Sequence, residues 1–313
     1  MGFSGGAVVG LLFPGQGSQF VGMGKDLVAE SPAARAVFEE ADDLLGIPLT
    51  RLCFEGPEDE LTATVNAQPA ILTHSIAVYS AVQAHAGSVS LAAGHSLGEF
   101  SAYVAAGSMS LGDGLRTVRL RGELMYRGGQ VRPGTMAAIL GLDDDAILRV
   151  CAEASGADGV CVAANFNAPG QVVVSGDASA VSRCLEGAKS AGARRALPLN
   201  VSGAFHSPLM AIAVPGLAAQ LDSIPFHDPR FPVVSNVTAQ AVSDAATARR
   251  LLVAQLTSPV RWTACVRTML DGGIRSFLEI GPGTVLSGLL KRIEREAEAK
   301  PVGTAAQVGA LAA

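Results

Sequence analysis

Residues 92–100, AAGHSLGEF, set a serine between two glycines, each two positions away, where a short apolar segment gives way to another apolar stretch. Residues 89–93 read as a strand and residues 97–106 are apolar and helix-compatible, which puts Ser96 on a sharp strand-to-helix turn. A turn of that kind belongs to an α/β fold, whose buried strands deliver side chains to one edge of a sheet. The pattern G-x-S-x-G is weak alone. With 36 glycines in 313 residues, about a third of one such match arises by chance, so its weight depends on the rest of the chain.

That remainder alternates strands and helices. Residues 7–13 form an apolar strand that runs into the turn PGQGSQ, and residues 65–86 are helical in pattern after Pro69. Two nucleotide-binding readings fail at this turn. A dinucleotide fingerprint needs glycine where Phe20 stands, and no G-x-x-x-x-G-K-[ST] occurs. Beyond Gly128-Gly129, strands are expected at residues 135–142, 160–165, 171–176 and 195–199, with helices at 143–155 and 178–191. This β-α-β-β-α-β order is the ferredoxin-like pattern. It divides the chain into a large α/β unit, residues 1–129 and 199–313, and an inserted small subdomain, residues 130–198. In the large unit a strand is expected at 231–236, helices at 245–256 and 262–269, a strand at 276–280 and a helix after GPG. The Ala-rich, charge-free residues 301–313 read as a frayed end.

Composition removes several function classes. A net charge of -5 and 5% aromatic residues supply neither the basic field nor the stacking platforms of a nucleic-acid binder. Five scattered cysteines without a C-x-x-C indicate buried thiols in a reducing compartment, with neither a disulfide framework nor a zinc knuckle. The N-terminal segment lacks early positive charge, its uncharged run is too short to span a bilayer, and Gly6 breaks the acylation pattern after Met1-Gly2. A cytoplasmic protein away from membranes is expected, working as a monomer.

A serine hydroxyl needs a base within hydrogen-bond reach and donors where an oxyanion forms. The Leu97 amide, at the start of the helix after the serine, is one donor, and Gln16 in PGQGSQ is the natural second. Among five histidines, His95 should point away from Ser96 at a sharp turn, His74 and His85 lie in a mainly apolar helix, and His227 stands in a proline-bounded loop. His206, in VSGAFHSPLM, follows a strand and a glycine at a sheet edge and is the best base. In the helical stretch 111–125, Leu111, Leu115, Val118, Gly122 and Met125 form the inward stripe. Arg119 and Arg121 flank it, while Arg116 and Arg127 lie far from it.

PGQGSQ, NAQPAI, GHSLGE, RLRGELM, NFNAPGQVV, GAFHSPLM and PVRW followed by EIGPG occur in order between about residues 8 and 294. In this the chain resembles the malonyl-CoA:acyl carrier protein transacylases. The resemblance implies an α/β hydrolase-like core with a mostly parallel sheet and an inserted ferredoxin-like subdomain. It also implies an acylated Ser96, His206 as its base, and Gln16 with Leu97 as the oxyanion hole. The carbonyl of Gln255 would orient the imidazole where many hydrolases use a carboxylate. The family motif R-x-R-G-x-L-M selects Arg121 over Arg119 as the partner of the malonyl carboxylate, and Gln68 matches another active-site position. Phe205, as in malonyl-selective members, would fill the space an α-methyl needs. Asn165 either lines the cleft or caps a turn.

The implied reaction moves malonyl from malonyl-CoA to the thiol of an acyl carrier protein by ping-pong transfer, with no cofactor and no metal. A serine hydrolase would share the elbow but release acyl groups to water; a non-catalytic docking subunit would not need Ser96, His206 and Arg121 together. The carrier could serve fatty-acid synthesis or a polyketide assembly line lacking built-in acyltransferases, and GAFHS leans to the second. Lys189, Arg194 and Arg195 could meet an acidic carrier or simply be solvated surface charge.

Overall fold

The computed structural model describes residues 8–312. Among these residues ten strands form two sheets: β1 (Val8–Phe13), β2 (Ser88–Gly94), β3 (Thr135–Leu140), β4 (Cys161–Ala168), β5 (Gln171–Gly176), β6 (Arg195–Pro198), β7 (Val233–Val234), β8 (Ala241–Val242), β9 (Ser276–Ile280) and β10 (Glu298–Val302). The larger sheet has the order β10-β9-β1-β2-β7-β8 and is parallel except where β8 turns back on β7. The smaller, β4-β5-β3-β6, is antiparallel throughout. With helices Asp144–Ala154 and Ala178–Ser190 it follows the expected β-α-β-β-α-β order. The expected start of β1 at Ala7 and the N-terminal reading lie outside the described residues.

Parallel strands buried on both faces need continuous apolar sequence, and β1 supplies it: Val9, Leu11, Leu12 and Phe13 are fully buried. On one face the Thr64–Val82 and Leu97–Ala105 helices bury Ile71, Leu72, Phe100 and Tyr103. On the other, the Trp262–Asp271 and Val285–Ile293 helices bury Trp262, Met269 and Leu290. The small subdomain has a core of its own, including Ile139, Ile147, Val172, Val174 and Val181. The turns after β1 and β2 open at the carboxyl edge of the parallel sheet, where α/β proteins place their sites.

Three expectations need correction. The helix containing Pro69 begins at Thr64, before the proline. Proline cannot donate to the carbonyl four residues back, at Val65, and that oxygen instead accepts from Arg119 Nη1 at 3.1 Å. Among the described residues, 301–312 are not a frayed end: β10 pairs in parallel with β9, and the Ala305–Ala312 helix follows. The N-terminus of that helix is tied to Asp26, whose carboxylate accepts from the Ala305 amide at 2.8 Å, while Val308 and Leu311 pack on the core. The strand expected at 231–236 pairs only at Val233 and Val234, and a short β8, which the sequence pattern did not suggest, completes the edge.

Two glycines set the closeness of the elbow. A Cβ on Gly94 would stand 1.9 Å from the carbonyl carbon of Gly98, and one on Gly98 would stand 2.0 Å from the Phe13 carbonyl oxygen. Backbone surrounds both positions, so no flexible side chain can yield. Gly98→Ala should therefore destabilise the chain by about 3 kcal/mol, at the upper end of overpacking effects. Urea denaturation monitored by circular dichroism measures this, and an unchanged midpoint would contradict the packing described.

Candidate active site

Ser96 lies two residues beyond the end of β2 and directly precedes the Leu97–Ala105 helix, with φ 51° and ψ -104°, a positive-φ conformation costly for a residue with a Cβ. Two bonds from Asn236 hold it: the Asn236 side-chain oxygen accepts from the Ser96 amide at 2.8 Å, and its Nδ2 donates to the Gly94 carbonyl at 2.7 Å. Because β7 stops at Val234, Asn236 is free to turn toward the elbow. The strain thereby lifts the hydroxyl away from its own backbone and toward the neighbouring loops.

His206 sits in the loop before a 3-10 turn, Pro208–Ala213, and also has positive φ, 56°. Ser207 pins this loop by donating to the Ala204 carbonyl at 2.6 Å and accepting from the Leu209 amide at 3.2 Å. The imidazole Nε2 is 2.7 Å from Ser96 Oγ, and Nδ1 is 2.9 Å from the Gln255 carbonyl oxygen. A carbonyl can only accept, so Nδ1 carries the proton and the lone pair on Nε2 faces the serine. Burial, and next the nearby Arg121 cation, push the His206 pKa down to about 3 against the opposing Gln255 bond. The imidazole is therefore neutral, with an accepting nitrogen turned to the Ser96 hydroxyl.

Arg121 is 1% exposed. Its Nη1 donates to Gln68 Oε1 at 2.7 Å, and its Nη2 donates to Gln255 Oε1 at 2.9 Å and to Ser96 Oγ at 3.1 Å. The guanidinium also lies 5.3 Å from the centroid of the Phe100 ring, a cation–π contact. Gly122 makes this possible, since a Cβ there would come within 2.8 Å of the Thr64 carbonyl oxygen; without one, the Leu111–Val131 helix approaches the Thr64–Val82 helix closely. The bonded partners of Arg121 are all neutral, and its buried Nε has none. Burial draws its pKa down to about 10, so it remains a cation at neutral pH.

A cleft of about 340 Å³ is lined by Ser96, His206 and Arg121 together with Gln16, Leu97, Asn165 and Phe205. It lies between the parallel sheet's edge and the small subdomain. Gln68 and Gln255, fully buried, are not in its wall but stand behind Arg121. Gln16 accepts from Thr64 Oγ1 at 2.9 Å through its side chain, which fixes the loop after β1 over the cleft. Arg119 points elsewhere, bonded to Val65, Asn66 and Glu123. His95 turns away from the serine as expected: its Nε2 is 2.8 Å from Asn167 Oδ1, and its ring packs on Trp262. His74 is fully buried, and His85 and His227 are exposed. Lys189 pairs with Glu186 on the surface.

Two residues of this arrangement escaped the sequence reading, Asn236 and Glu99. Glu99 is fully buried in the Leu97–Ala105 helix, and its Oε2 accepts from Gln255 Nε2 at 2.6 Å and from the Asn236 amide at 3.2 Å. A carboxylate in an otherwise apolar helical run was the available signal. The scattered spacing of the cysteines also hid a convergence: among the described residues Cys151, Cys161 and Cys184 bring their sulfurs within 4.8 Å of one another, a spacing a soft metal ion could use. They lie in the small subdomain's core rather than in the cleft wall.

The family of acyl transferase domains matches residues 11–312. The malonyl CoA-acyl carrier protein transacylase of Bacillus subtilis (strain 168) is 47% identical over 287 residues, 92% of this chain and 90% of that protein. Among solved structures, the malonyl-CoA:acyl carrier protein transacylase of Xanthomonas oryzae superposes with a TM-score of 0.94 at 44% identity, covering 99% of both chains. PlMCAT:AntF, described as a type II PKS acyl-carrier protein in complex with its malonyl-transacylase, gives 0.92 at 43% identity over 97% of this chain and 98% of that one.

The depressed pKa of His206 has a signed consequence. The unfolded chain takes up a proton near the ordinary imidazole value of 6.5 that the folded chain refuses until about 3, so this group's contribution to stability is complete above the first value and lost as pH falls toward the second. In histidine-labelled protein the His206 resonance should stay in the neutral position between about pH 5 and 8. A His206 midpoint near 6.5 would contradict the buried, cation-flanked setting.

Proposed function

The chain belongs to the malonyl CoA-acyl carrier protein transacylase family of acyl transferase domains, and on that premise we propose that it carries malonyl from coenzyme A to the phosphopantetheine thiol of an acyl carrier protein through an ester on Ser96. His206 Nε2 removes the hydroxyl proton as Ser96 Oγ attacks the thioester carbonyl. The negative oxygen that forms is received by the amides of Leu97 and Gln16, at the ends of the two loops that frame the cleft. Collapse of the adduct expels the coenzyme A sulfur, which takes the proton from His206 and leaves the acyl group on Ser96. The carrier thiol then gives its proton to the same imidazole and attacks the ester carbonyl, and as this second adduct collapses the imidazole returns that proton to the departing Ser96 Oγ. Acyl group and proton balance at each half-reaction, and no cofactor is consumed.

One observation carries the substrate class. A buried guanidinium with only neutral bonded partners stands 3.1 Å from the nucleophile. Once Ser96 is an ester, the donors that held its hydroxyl are available to a carboxylate two carbons from the reacting carbonyl, and a planar guanidinium binds that group with two parallel bonds. The orienting carbonyl on His206, in place of a carboxylate, favours this reading over a serine hydrolase. Among the described residues no helix is long and apolar enough to cross a membrane, all five cysteines are free thiols, and we place the protein in the cytoplasm.

Intact-mass measurement after incubation with malonyl-CoA, and then with a carrier protein, tests the reading. A malonyl adduct should form, vanish on addition of the carrier, and be missing in Ser96→Ala. Arg121→Ala should lose malonyl loading by about 3–5 kcal/mol, two to three or more decades in rate, because a carboxylate is left unpaired in a partly dry cleft. Acetyl loading should suffer less, and equal losses would show that Arg121 does not read the carboxylate.

Phe205 lines the cleft at 6% exposure beside the base. Replacing it with serine should raise methylmalonyl loading relative to malonyl by roughly tenfold to two hundredfold, the worth of about one methylene in an apolar pocket. Competition between the two thioesters for Ser96 gives the ratio directly. An unchanged ratio with both rates lowered would assign the ring to packing alone.

A further inference from the structure

Gln255 makes two separate contributions to the site. Its backbone carbonyl accepts from His206 Nδ1, whereas its side-chain oxygen accepts from Arg121 Nη2 and its side-chain nitrogen donates to Glu99 Oε2 and, at 3.1 Å, to the Ser96 carbonyl. A primary amide is nearly symmetrical in shape and can occupy the same space with oxygen and nitrogen exchanged. Turned the other way, it would point N–H at the guanidinium N–H and an oxygen at the carboxyl of Glu99. Two acceptors on the nitrogen side oppose that exchange, the Ser96 carbonyl at 3.1 Å and, more closely, Glu99 Oε2 at 2.6 Å, and Arg121 has no directly bonded acidic partner to hold it otherwise.

We propose that Glu99 is a positioning residue for malonyl recognition: by accepting from Gln255 Nε2 it fixes the amide so that its oxygen faces Arg121, and thereby holds the guanidinium beside Ser96. The assignment rests on the malonyl-transfer reading above. Glu99 is fully buried and at 2.6 Å makes its shortest bond to this nitrogen, while its other oxygen, Oε1, is buried without a hydrogen-bond partner. Keeping a carboxyl there is costly, and an apolar side chain would suit the surrounding core better. Burial pushes its pKa up to about 7 against the pull of Gln255 and Asn236. A proton can be held on the unpartnered Oε1, so Oε2 remains an acceptor in either protonation state. The charge of Glu99 is one amide removed from Arg121, which places it to steady the cation without occupying the donors a substrate carboxylate needs.

The bond from the Asn236 amide offers a competing role for Glu99, as a clamp on the loop after β7. Selectivity separates the two, since a clamp that merely supports the elbow affects every acyl donor alike. Wild-type protein and the variants Glu99→Leu, Glu99→Gln and Gln255→Leu would be loaded with malonyl-CoA and acetyl-CoA in competition, and the adducts on Ser96 compared by intact mass. Glu99→Leu removes the acceptor and should lower the malonyl-to-acetyl ratio on the order of tenfold, the effect of releasing one buried charge-assisted bond. Glu99→Gln keeps an oxygen for Gln255 and Asn236 and should return the ratio to within about twofold of wild type. If Glu99→Leu does not fold, Gln255→Leu decides, because it retains the backbone carbonyl used by His206 and should lower the same ratio. A wild-type ratio in a folded Glu99→Leu, an equal loss in Glu99→Gln, or a wild-type ratio in Gln255→Leu when it is the deciding variant overturns the proposal. A wild-type protein that never takes malonyl would instead overturn the transfer reading itself.

Discussion

The turn from β2 into the Leu97–Ala105 helix leaves no room for a side chain at Gly94 or Gly98, and the Phe13 carbonyl of β1 lies against the second of them. Three backbone segments therefore meet without intervening atoms. Their closeness forces Ser96 into positive φ, and the Asn236 side chain offsets part of that strain by bonding on both sides of the serine. The same contact brings the loop after β1, with Gln16, alongside the start of the helix, with Leu97. The proposed nucleophile and the proposed oxyanion donors are thus placed by one packing constraint.

A second constraint is electrostatic and concerns charges that have been taken out of water. Arg121 adds to burial in keeping His206 neutral, and a neutral imidazole with its proton on Nδ1 is the form that can accept from a hydroxyl. The cation in turn lacks a carboxylate in direct contact, although Glu99 lies beyond the Gln255 amide. An immediate ion pair would have satisfied the guanidinium and left little of it for substrate. Separation by one amide keeps it both tolerable and available.

Much of this could be read from residue order. The glycines around Ser96, the loop position of His206 and the helix face near Arg121 are local signals, as is the alternation that yields the four-stranded antiparallel sheet. What could not be read depends on partners far away in the chain. Glu99 looked like an ordinary member of an apolar helix because its partners are at positions 236 and 255. The strand pattern ran on through Asn236, yet pairing ends at Val234, and the asparagine side chain bonds at the elbow instead. Pro69 signalled a helix start, but Arg119 takes up the carbonyl that the proline leaves unbonded. The Ala-rich terminal stretch carries no charge of its own, and its helix is tied at the start by Asp26 from the other end of the sequence.

The two sheets also differ in how soon their strands can meet. Every strand of the antiparallel sheet lies between Thr135 and Pro198, so its ladders join residues close in sequence. At the centre of the parallel sheet, Val9 is aligned with Ser276, and β9 in turn with β10. Closing such distant pairs carries a large chain-entropy cost and is slow. During synthesis the inserted subdomain can therefore mature while β1 still waits for its second neighbour. Until then the apolar flank of β1 is open, and an unpaired apolar strand edge of that kind is the surface on which nascent chains aggregate.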